Sequence, residues 1–403
     1  MKKIISKSIL LTIVVVAINF GFKIYLSYHI SKESIGVFYT LLDLVSLMTL
    51  FFTGYKDSMI KLYSEKNFFA VYRYIVRNYL VLSILFVAIL FSLYTIQNQE
   101  AKVFSVYLLI LFFVVTQVSN FYSYLNVASK NYNSMLYEKS IKALSLVGSF
   151  ILLNGYIDIM TALIVAYIIQ MVIHTIYIYI TSPTLFSLPT KRVNIDNYKR
   201  FLKNYLLATV TSFFGSVSIY MSAIIMLYLY EQSSVLSEYQ VVVKSIFFAL
   251  VTIFVHPVAS YTFPEISKFI SEERYYEVER MEHLLQKYLL ILFLLISVGT
   301  FFTKFIVGLI FPINYVSSYK MLNLMLPILP LITYTSFLIN ILKGSNRFDL
   351  ALWVRVFGTV IFFISIATLY LFGVDAESII YSLDLSFIGM FLLSYYYKRG
   401  LLS

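Results

Sequence analysis

The chain has 403 residues, of which 60% are hydrophobic and only 13% are charged. An average soluble domain has about a quarter charged residues, so this composition excludes a soluble enzyme and a disordered protein. It leaves a membrane protein whose apolar surface faces lipid. The sequence contains no cysteine, which excludes a disulfide framework and a thiolate metal site.

Long apolar runs recur along the whole sequence. A bilayer core about 30 Å thick needs roughly 20 mostly apolar residues per helix, and the runs are continuous rather than alternating, which argues against a barrel. The sequence therefore predicts an all-α polytopic membrane protein with twelve transmembrane helices. The predicted spans are 8–29, 35–54, 79–96, 103–126, 140–155, 158–180, 203–230, 236–262, 285–303, 320–342, 351–372 and 376–396.

The basic residues predict the orientation of these spans. Most of the 31 lysines and arginines lie in the loops that follow even-numbered spans or near the two ends of the sequence. Cytoplasmic loops are enriched in such residues, so we expect both termini and the connection 182–202 to be cytoplasmic. The formal net charge of +11 then reflects topology and contact with anionic lipid heads, and no nucleic acid partner is expected.

The connection 182–202 contains Pro183 and Pro189 and divides the spans six and six. The sequence predicts an N-terminal six-helix bundle, 1–181, and a C-terminal six-helix bundle, 203–403, related by a pseudo-two-fold axis along the membrane normal. Residues 61–73 resemble residues 268–280, with Lys, Ser, Glu, Val and Arg identical in register. Both segments are expected to form interfacial cytoplasmic helices.

Several kinds of chemistry lack their sequence signatures. No phosphate-binding Gly-x-x-x-x-Gly-Lys-[Ser/Thr] loop is present, and the four histidines have no metal-ligand spacing. No polar segment is long enough to fold as a catalytic domain. We therefore expect a protein that is not an enzyme and that uses no cofactor and no bound metal.

Three segments are similar to those of a known family. Residues 34–42 match a Gly-x-[Phe/Tyr] entry to span 2, and residues 256–267 match a segment in which proline and serine precede an acidic helix. Residues 310–319 match a Phe-Gly-x-x-Tyr loop, although Pro312 stands where glycine is usual. With its topology, the chain resembles the polysaccharide-export, Wzx-type O-antigen flippases of the multidrug/oligosaccharidyl-lipid/polysaccharide (MOP) exporter superfamily.

That resemblance implies a function and a location. It implies translocation of an undecaprenyl-diphosphate-linked oligosaccharide, for lipopolysaccharide or another surface polysaccharide, across the bacterial inner membrane by alternating access. It also implies contact with membrane lipids and with polysaccharide polymerase or assembly proteins. The alternative is an ion-coupled multidrug or small-solute exporter of the same superfamily. The loop 54–61 lacks the second glycine and the arginine pair of major-facilitator transporters, and a polymerase component would need an extracytoplasmic loop that the sequence lacks.

Four charged residues lie inside predicted spans at a similar depth, namely Lys23, Asp43, Lys244 and Asp384. Each lies roughly 9–12 Å from the outer end of its span at 1.5 Å per residue. Charges inside spans usually line a cavity, so these residues predict a polar layer. The alternative is that the lysines extend toward the lipid interface and the aspartates pair with them. The resemblance, in which spans 1, 2, 7 and 8 line the cleft, favours the first three residues.

Roles follow from these residue types. The predicted substrate-binding residues are Lys23, Lys244 and Asn19, and the predicted ion-coupling residues are Asp43, Asp384 and His256. Interhelical hydrogen bonding is the alternative role for the asparagine. His174 and His256 could each report a proton gradient, or could simply be packed hydrogen-bonding residues.

Four further residues are candidate hinges. Pro257, Pro327 and Pro330 interrupt hydrogen bonding within spans 8 and 10. Gly215 in span 7 has no side chain and would permit bending or close packing.

Overall fold

The computed structural model describes residues 2–64, 72–96, 105–129, 132–183, 195–229, 233–345, 347–375 and 377–402. All regular elements in these ranges are helices. The α-helices α1 to α8 are Lys2–His29, Lys32–Leu50, Thr53–Ser64, Tyr72–Ile96, Val106–Ala128, Tyr132–Leu153, Ile159–Thr181 and Ile195–Leu229. The α-helices α9 to α16 are Ser233–Ser237, Lys244–Leu250, His256–Ser271, Tyr275–Ile310, Tyr319–Met325, Leu329–Gly344, Phe348–Leu371 and Ser378–Leu402.

Within the described residues, 11 helical stretches are long and apolar enough to cross a membrane. Each coincides with one of the predicted spans, which confirms the all-α polytopic membrane fold. The remaining predicted span, 140–155, falls on α6, which has 22 residues but is not among those stretches. The first half of α6 contains Glu138, Lys139 and Lys142, which lower the mean hydropathy of the helix.

The chain forms two compact units. The first unit comprises Met1–Leu26 and Val45–Phe213, and the second comprises Ser27–Leu44 and Phe214–Ser403. Helices α1, α2 and α8 therefore each contribute residues to both units. The proposed division into bundles at 181 and 203 stays a prediction, since contacts define these units with other bounds.

The first unit has an aromatic core between α3, α4, α5 and α8. The ring of Phe52 lies 4.9 Å from that of Tyr79, and the ring of Tyr55 lies 4.4 Å from that of Tyr205. Gly54 faces Tyr205 and Thr209 so closely that a Cβ atom there would overlap both. Its missing side chain lets α3 approach α8.

The second unit has an aliphatic core that joins α11, α12 and α14. Its buried residues are Ile266, Val278, Leu285, Leu289, Leu292, Phe337, Leu338 and Ile341. Within a bilayer, close packing of such side chains holds helices together, since lipid tails are as apolar as the core itself. Helices α15 and α16 pack together where Gly358 meets Met390 and Gly389 meets Ile361.

Two sequence expectations about connecting segments need revision or lie partly outside the described residues. Residues 268–280 do not form one interfacial helix, because α11 ends at Ser271 and α12 begins at Tyr275. Between them Glu273 has φ 58°, a left-handed conformation that a continuous helix does not contain. In the matching segment, residues 65–71 lie outside the described residues, as do 184–194 of the predicted connection. From Ile195 the chain is helical.

Candidate functional site

The second unit contains a buried ion pair between two predicted site residues. The ammonium group of Lys244 donates a hydrogen bond to Oδ2 of Asp43. The two side chains retain only 7% and 12% of their accessible surface. Because removing charges from water is unfavourable unless they are paired, the pairing explains how both residues can lie inside an apolar unit.

Two neutral side chains complete this site. Nε2 of Gln240 donates to Oδ2 of Asp43 at 2.6 Å and contacts Oγ1 of Thr40 at 3.2 Å. Gln240 and Thr40 are both buried, with 2% exposure each. One oxygen of the carboxylate therefore accepts hydrogen bonds from both a cation and an amide.

The local backbone determines how these groups meet. Thr40 and Asp43 are three residues apart on α2 and so share one face. On the facing segment, a π-helical stretch, Glu238–Val243, ends immediately before Lys244, and a second one, Val251–Val255, follows α10. Such stretches often occur at functional sites because they rotate side chains away from regular helical positions.

Aromatic rings flank the same ammonium group. Nζ of Lys244 lies 5.5 Å from the centroid of the Tyr220 ring and 5.9 Å from that of Phe248. Both distances allow a cation–π attraction. The lysine is therefore held by a carboxylate and two ring faces.

A second ion pair joins the same two segments at their N-terminal ends. Nζ of Lys32 lies 2.6 Å from Oε1 of Glu238 and donates to the carbonyl oxygen of Asn314 at 2.7 Å. Ser317 donates to the same carboxylate oxygen at 2.6 Å. Lys32 and Asp43 are three helical turns apart on α2, about 16 Å, so residues 27–44 are attached to the rest of the second unit at two levels.

Glycine permits this attachment. A Cβ atom at Gly36 would overlap Oγ of Ser237 and would lie 3.0 Å from its Cα and backbone nitrogen. The hydroxyl of Ser237 also donates to the carbonyl of Lys32. The backbones of the two segments therefore approach each other closely between the two ion pairs.

The two remaining predicted charge sites lie on α16 and α1. Asp384 is half-buried on α16, and its Oδ1 atom makes no hydrogen bond to the residues that the structure describes. Lys23 is half-buried and Asn19 is exposed on the part of α1 that belongs to the first unit. Of the four charges predicted to form one layer, the contacts join Asp43 and Lys244.

The candidate hinges differ in their surroundings. Pro257 lies in the first turn of α11, directly after the π-helical stretch Val251–Val255, while the side chains of His256 and Pro257 lie outside the described part of the chain. Pro327 lies in a 3₁₀ turn, Leu326–Ile328, between α13 and α14, and Pro330 lies in the first turn of α14.

Gly215 has a different surrounding from the prolines. It lies within the continuous helix α8, against the guanidinium group of Arg355. Close approach of this arginine therefore explains the glycine without a break in the helix.

The first unit contains a buried polar cluster around Glu138 and His174, of which the sequence indicated only the histidine. The carboxylate of Glu138 accepts from Ser123 at 2.8 Å and from Asn126 at 2.5 Å, and it lies 3.3 Å from Nε2 of His174. Nδ1 of His174 lies 2.6 Å from the hydroxyl of Ser119. Glu138 was missed because it lies just before the predicted span 140–155. An acidic residue so close to an apolar run was the available signal.

Residues at the ends of α5, α6 and α7 extend this cluster. Asn126 also donates to Ser134 at 2.9 Å and accepts from Ser182 at 3.0 Å. Ser134 lies 2.8 Å from the hydroxyl of Thr181. The cluster thus joins the C-terminal ends of α5 and α7 to the N-terminal part of α6. No group of three or more potential metal ligands occurs among the residues described by the structure.

Comparisons with known proteins identify the fold. No protein-family model and no curated protein sequence matches the chain. A multidrug resistance MATE family transporter of the MOP superfamily, solved in an inward-facing conformation, is 12% identical with a TM-score of 0.74, over 96% of this chain and 94% of that one. The lipid II flippase MurJ, in an inward closed conformation, is 14% identical with a TM-score of 0.73, over 97% of this chain and 87% of that one.

A third similar structure is a MOP superfamily transporter from Pyrococcus furiosus. It is 14% identical with a TM-score of 0.59, and the match covers 100% of this chain and 96% of that one. At such identities the likeness establishes the fold alone, and membership in the Wzx-type family stays a prediction. The chain is a multi-pass membrane protein with the fold of the MOP superfamily transporters.

Proposed function

We propose that the protein is a flippase that moves an undecaprenyl-diphosphate-linked oligosaccharide from the cytoplasmic to the outer leaflet by alternating access. The observation that carries this proposal is the buried pair of Lys244 and Asp43. A diphosphate head is strongly anionic, and a cation in a low-dielectric site attracts it far more strongly than one in water. The likeness in fold to a lipid II flippase supports a lipid-linked substrate.

The attachment of residues 27–44 suggests how the site changes state. This segment is continuous in sequence with residues of the first unit on both sides, yet its contacts belong to the second unit. In the proposed cycle it separates from the second unit, and both ion pairs open. Lys244 is then released from Asp43 and can bind the diphosphate.

Asp43 is the proposed coupling residue within this cycle. Its protonation or its binding of sodium would remove the negative charge that holds Lys244 and Gln240. A ligand shifts a two-state equilibrium only by binding one state better than the other. The ion would favour the open pair, and the diphosphate would then occupy the lysine.

The remaining predicted residues have subsidiary roles in the proposal. Lys23 and Asn19 are further candidate substrate-binding residues, and Asp384 and His256 are alternative coupling residues. Pro257, Pro327, Pro330 and Gly215 are candidate hinge positions. We place the protein in the bacterial inner membrane with both termini cytoplasmic, working with polysaccharide polymerase or assembly proteins.

Reconstituted transport tests the proposal. Proteoliposomes are prepared with a fluorescent undecaprenyl-diphosphate oligosaccharide lipid. Label that starts in the inner leaflet should become accessible to a quencher at the outer leaflet only when the protein is present. Lys244→Ala and Lys23→Ala should each reduce the rate at least tenfold, and Lys244→Arg should retain more activity. The matched control is Lys304→Ala, since Lys304 is an exposed lysine of the same unit on α12. Unchanged rates in both site variants would contradict the assignment.

The second candidate is an ion-coupled multidrug exporter of the same superfamily. It is favoured by the equally good match to a MATE family transporter and by the aromatic rings around the Lys244–Asp43 pair. Efflux of a cationic dye from the same proteoliposomes separates the two. Dye efflux without movement of the labelled oligosaccharide lipid would favour the exporter.

A further inference from the structure

The cluster around Glu138 and His174 has no part in the site proposed above. It lies wholly within the first unit, where His174 has 0% exposure and Glu138 has 8%. Three helices supply its members, with Ser119, Ser123 and Asn126 on α5. Glu138 and His174 are therefore surrounded by hydroxyl and amide groups, which do not themselves titrate.

The hydrogen bonds of this cluster have partners for two protonation states of His174. With a neutral imidazole, Nε2–H donates to the carboxylate of Glu138, and Nδ1 accepts from the hydroxyl of Ser119. With an imidazolium, Nδ1–H donates to the same hydroxyl oxygen, since a serine hydroxyl both donates and accepts. The 2.6 Å and 3.3 Å separations serve both states. One proton can therefore enter without breaking a bond to the ring.

The surrounding charges make the two states electrically different. Helix α5 has no charged residue and α7 has none besides the histidine. On α6, Lys142 interacts electrostatically with both Glu138 and His174, while Lys139 is exposed. The nearby tyrosines are Tyr177, which donates to the carbonyl of Ser134, and Tyr137, which is exposed. With neutral His174 the carboxylate and Lys142 cancel, and a bound proton adds one net positive charge.

We propose that the Glu138–His174 cluster is a proton-binding site that couples the first unit to the proton gradient. Its protonated form carries a net charge, which is unfavourable in an apolar interior and less so near water or anionic lipid heads. Protonation therefore favours the conformation in which the ends of α5 and α7 are better hydrated. The coupling role rests on the proposed transport function, whereas proton binding itself does not.

Potentiometric titration of the purified protein tests proton binding without any substrate. Histidine titrates between about pH 5 and 8, whereas a glutamate ordinarily titrates below that range. Wild type should bind about one more proton in this range than His174→Gln. Glu138→Gln should lose the same single proton, because His174 then lacks its anionic partner, and the double variant should lose no more than either one. The control Glu279→Gln, an exposed carboxylate on α12, should match wild type.

A second measurement keeps the native cluster intact. In protein labelled with ¹⁵N-histidine, the His174 signal is assigned by its absence from His174→Gln, and it should convert from imidazole to imidazolium as the pH falls. A signal that stays neutral down to about pH 5 would overturn the proposal and leave the cluster as packing only. Unchanged proton uptake in folded Glu138→Gln would overturn it as well.

Transport then tests the coupling role separately. In proteoliposomes, Glu138→Gln and His174→Gln should lose stimulation by an imposed pH gradient while keeping gradient-free flipping. His283→Gln, an exposed histidine on α12, should keep both. Full stimulation in the two cluster variants would overturn the coupling role. If wild type flips no oligosaccharide lipid, the proposed function fails, and the titration still decides the proton site.

Discussion

The two units hold their buried carboxylates in different ways. In the first unit, Glu138 is bonded to neutral side chains and to His174, all within residues 119–182. In the second unit, Asp43 is paired with a fixed cation, Lys244, which lies some 200 residues away in sequence. Glu238 is likewise paired with the distant Lys32. The first cluster can change its charge while its helices stay together. The second can expose its charges only if two distant segments separate.

This difference suggests a division of tasks. A site that titrates in place is suited to sense protons, because no packing has to be broken for the proton to bind. A site that must open to release a cation is suited to bind an anionic substrate in one state and not in another, and in the proposed cycle an ion that neutralises Asp43 favours that open state.

Removing the cation of the second unit should have the largest effect. Lys244→Ala leaves Asp43 buried without its partner, which should lower the free energy of unfolding by about 3–5 kcal/mol, and it should abolish flipping. Thermal unfolding in detergent and the proteoliposome assay measure the two effects.

A neutral pair separates stability from function at the same place. Asp43→Asn with Lys244→Met removes both charges and should recover most of the lost stability, since a neutral replacement of a buried ion pair is often tolerated. Flipping should remain abolished, because Lys244 is no longer present to bind the diphosphate. Recovery of flipping together with stability would make the pair purely structural.

The close approach of the two segments gives the next largest effect. Gly36→Ala should destabilise the attachment of residues 27–44 by about 1–3 kcal/mol, because the new methyl group overlaps Ser237. The control is Gly148→Ala on α6, where nothing lies within 4 Å of the added atom, and it should stabilise the helix by about 0.5–1 kcal/mol. Equal unfolding temperatures for the two variants would contradict the close packing.

The smallest effect is expected in the first unit. Ser119→Ala removes the hydroxyl next to Nδ1 of His174 and should cost about 1 kcal/mol. It should also lower proton uptake by the cluster, because the imidazolium loses its acceptor, while gradient-free flipping stays at the wild-type rate. Loss of gradient-free flipping in this variant would remove the distinction between the two regions.

Much of the fold could be predicted because the membrane imposes a simple length rule. Continuous apolar runs gave the positions of the helices, and only span 140–155 departs from the pattern, owing to the charges at the start of α6. Breaks within helices were harder to predict. The prolines of span 10 indicated the 3₁₀ turn Leu326–Ile328, whereas no residue type indicates the π-helical stretch Glu238–Val243.

Site residues could be predicted by depth but not by direction. Counting residues from the ends of spans placed Asp43 and Lys244 at one level, and they do meet. The same count gave Asp384 an equal depth, yet depth does not say which way a helix presents a side chain. Gln240 and Glu138 were missed because their importance comes from hydrogen bonds to partners on other helices, which no local pattern encodes.

In the proposed transport cycle, residues 27–44 must separate from the rest of the second unit. Because the chain has no cysteine, Lys32→Cys with Glu238→Cys places a unique thiol pair at the end of the ion-paired segment, away from Asp43 and Lys244. A bifunctional thiol reagent with a reducible link should stop flipping of the labelled oligosaccharide lipid, and reductant should restore it. The reagent should leave flipping by each single-cysteine variant at the rate of the same variant without reagent. Flipping by the cross-linked protein at the rate of its reduced form would contradict the account.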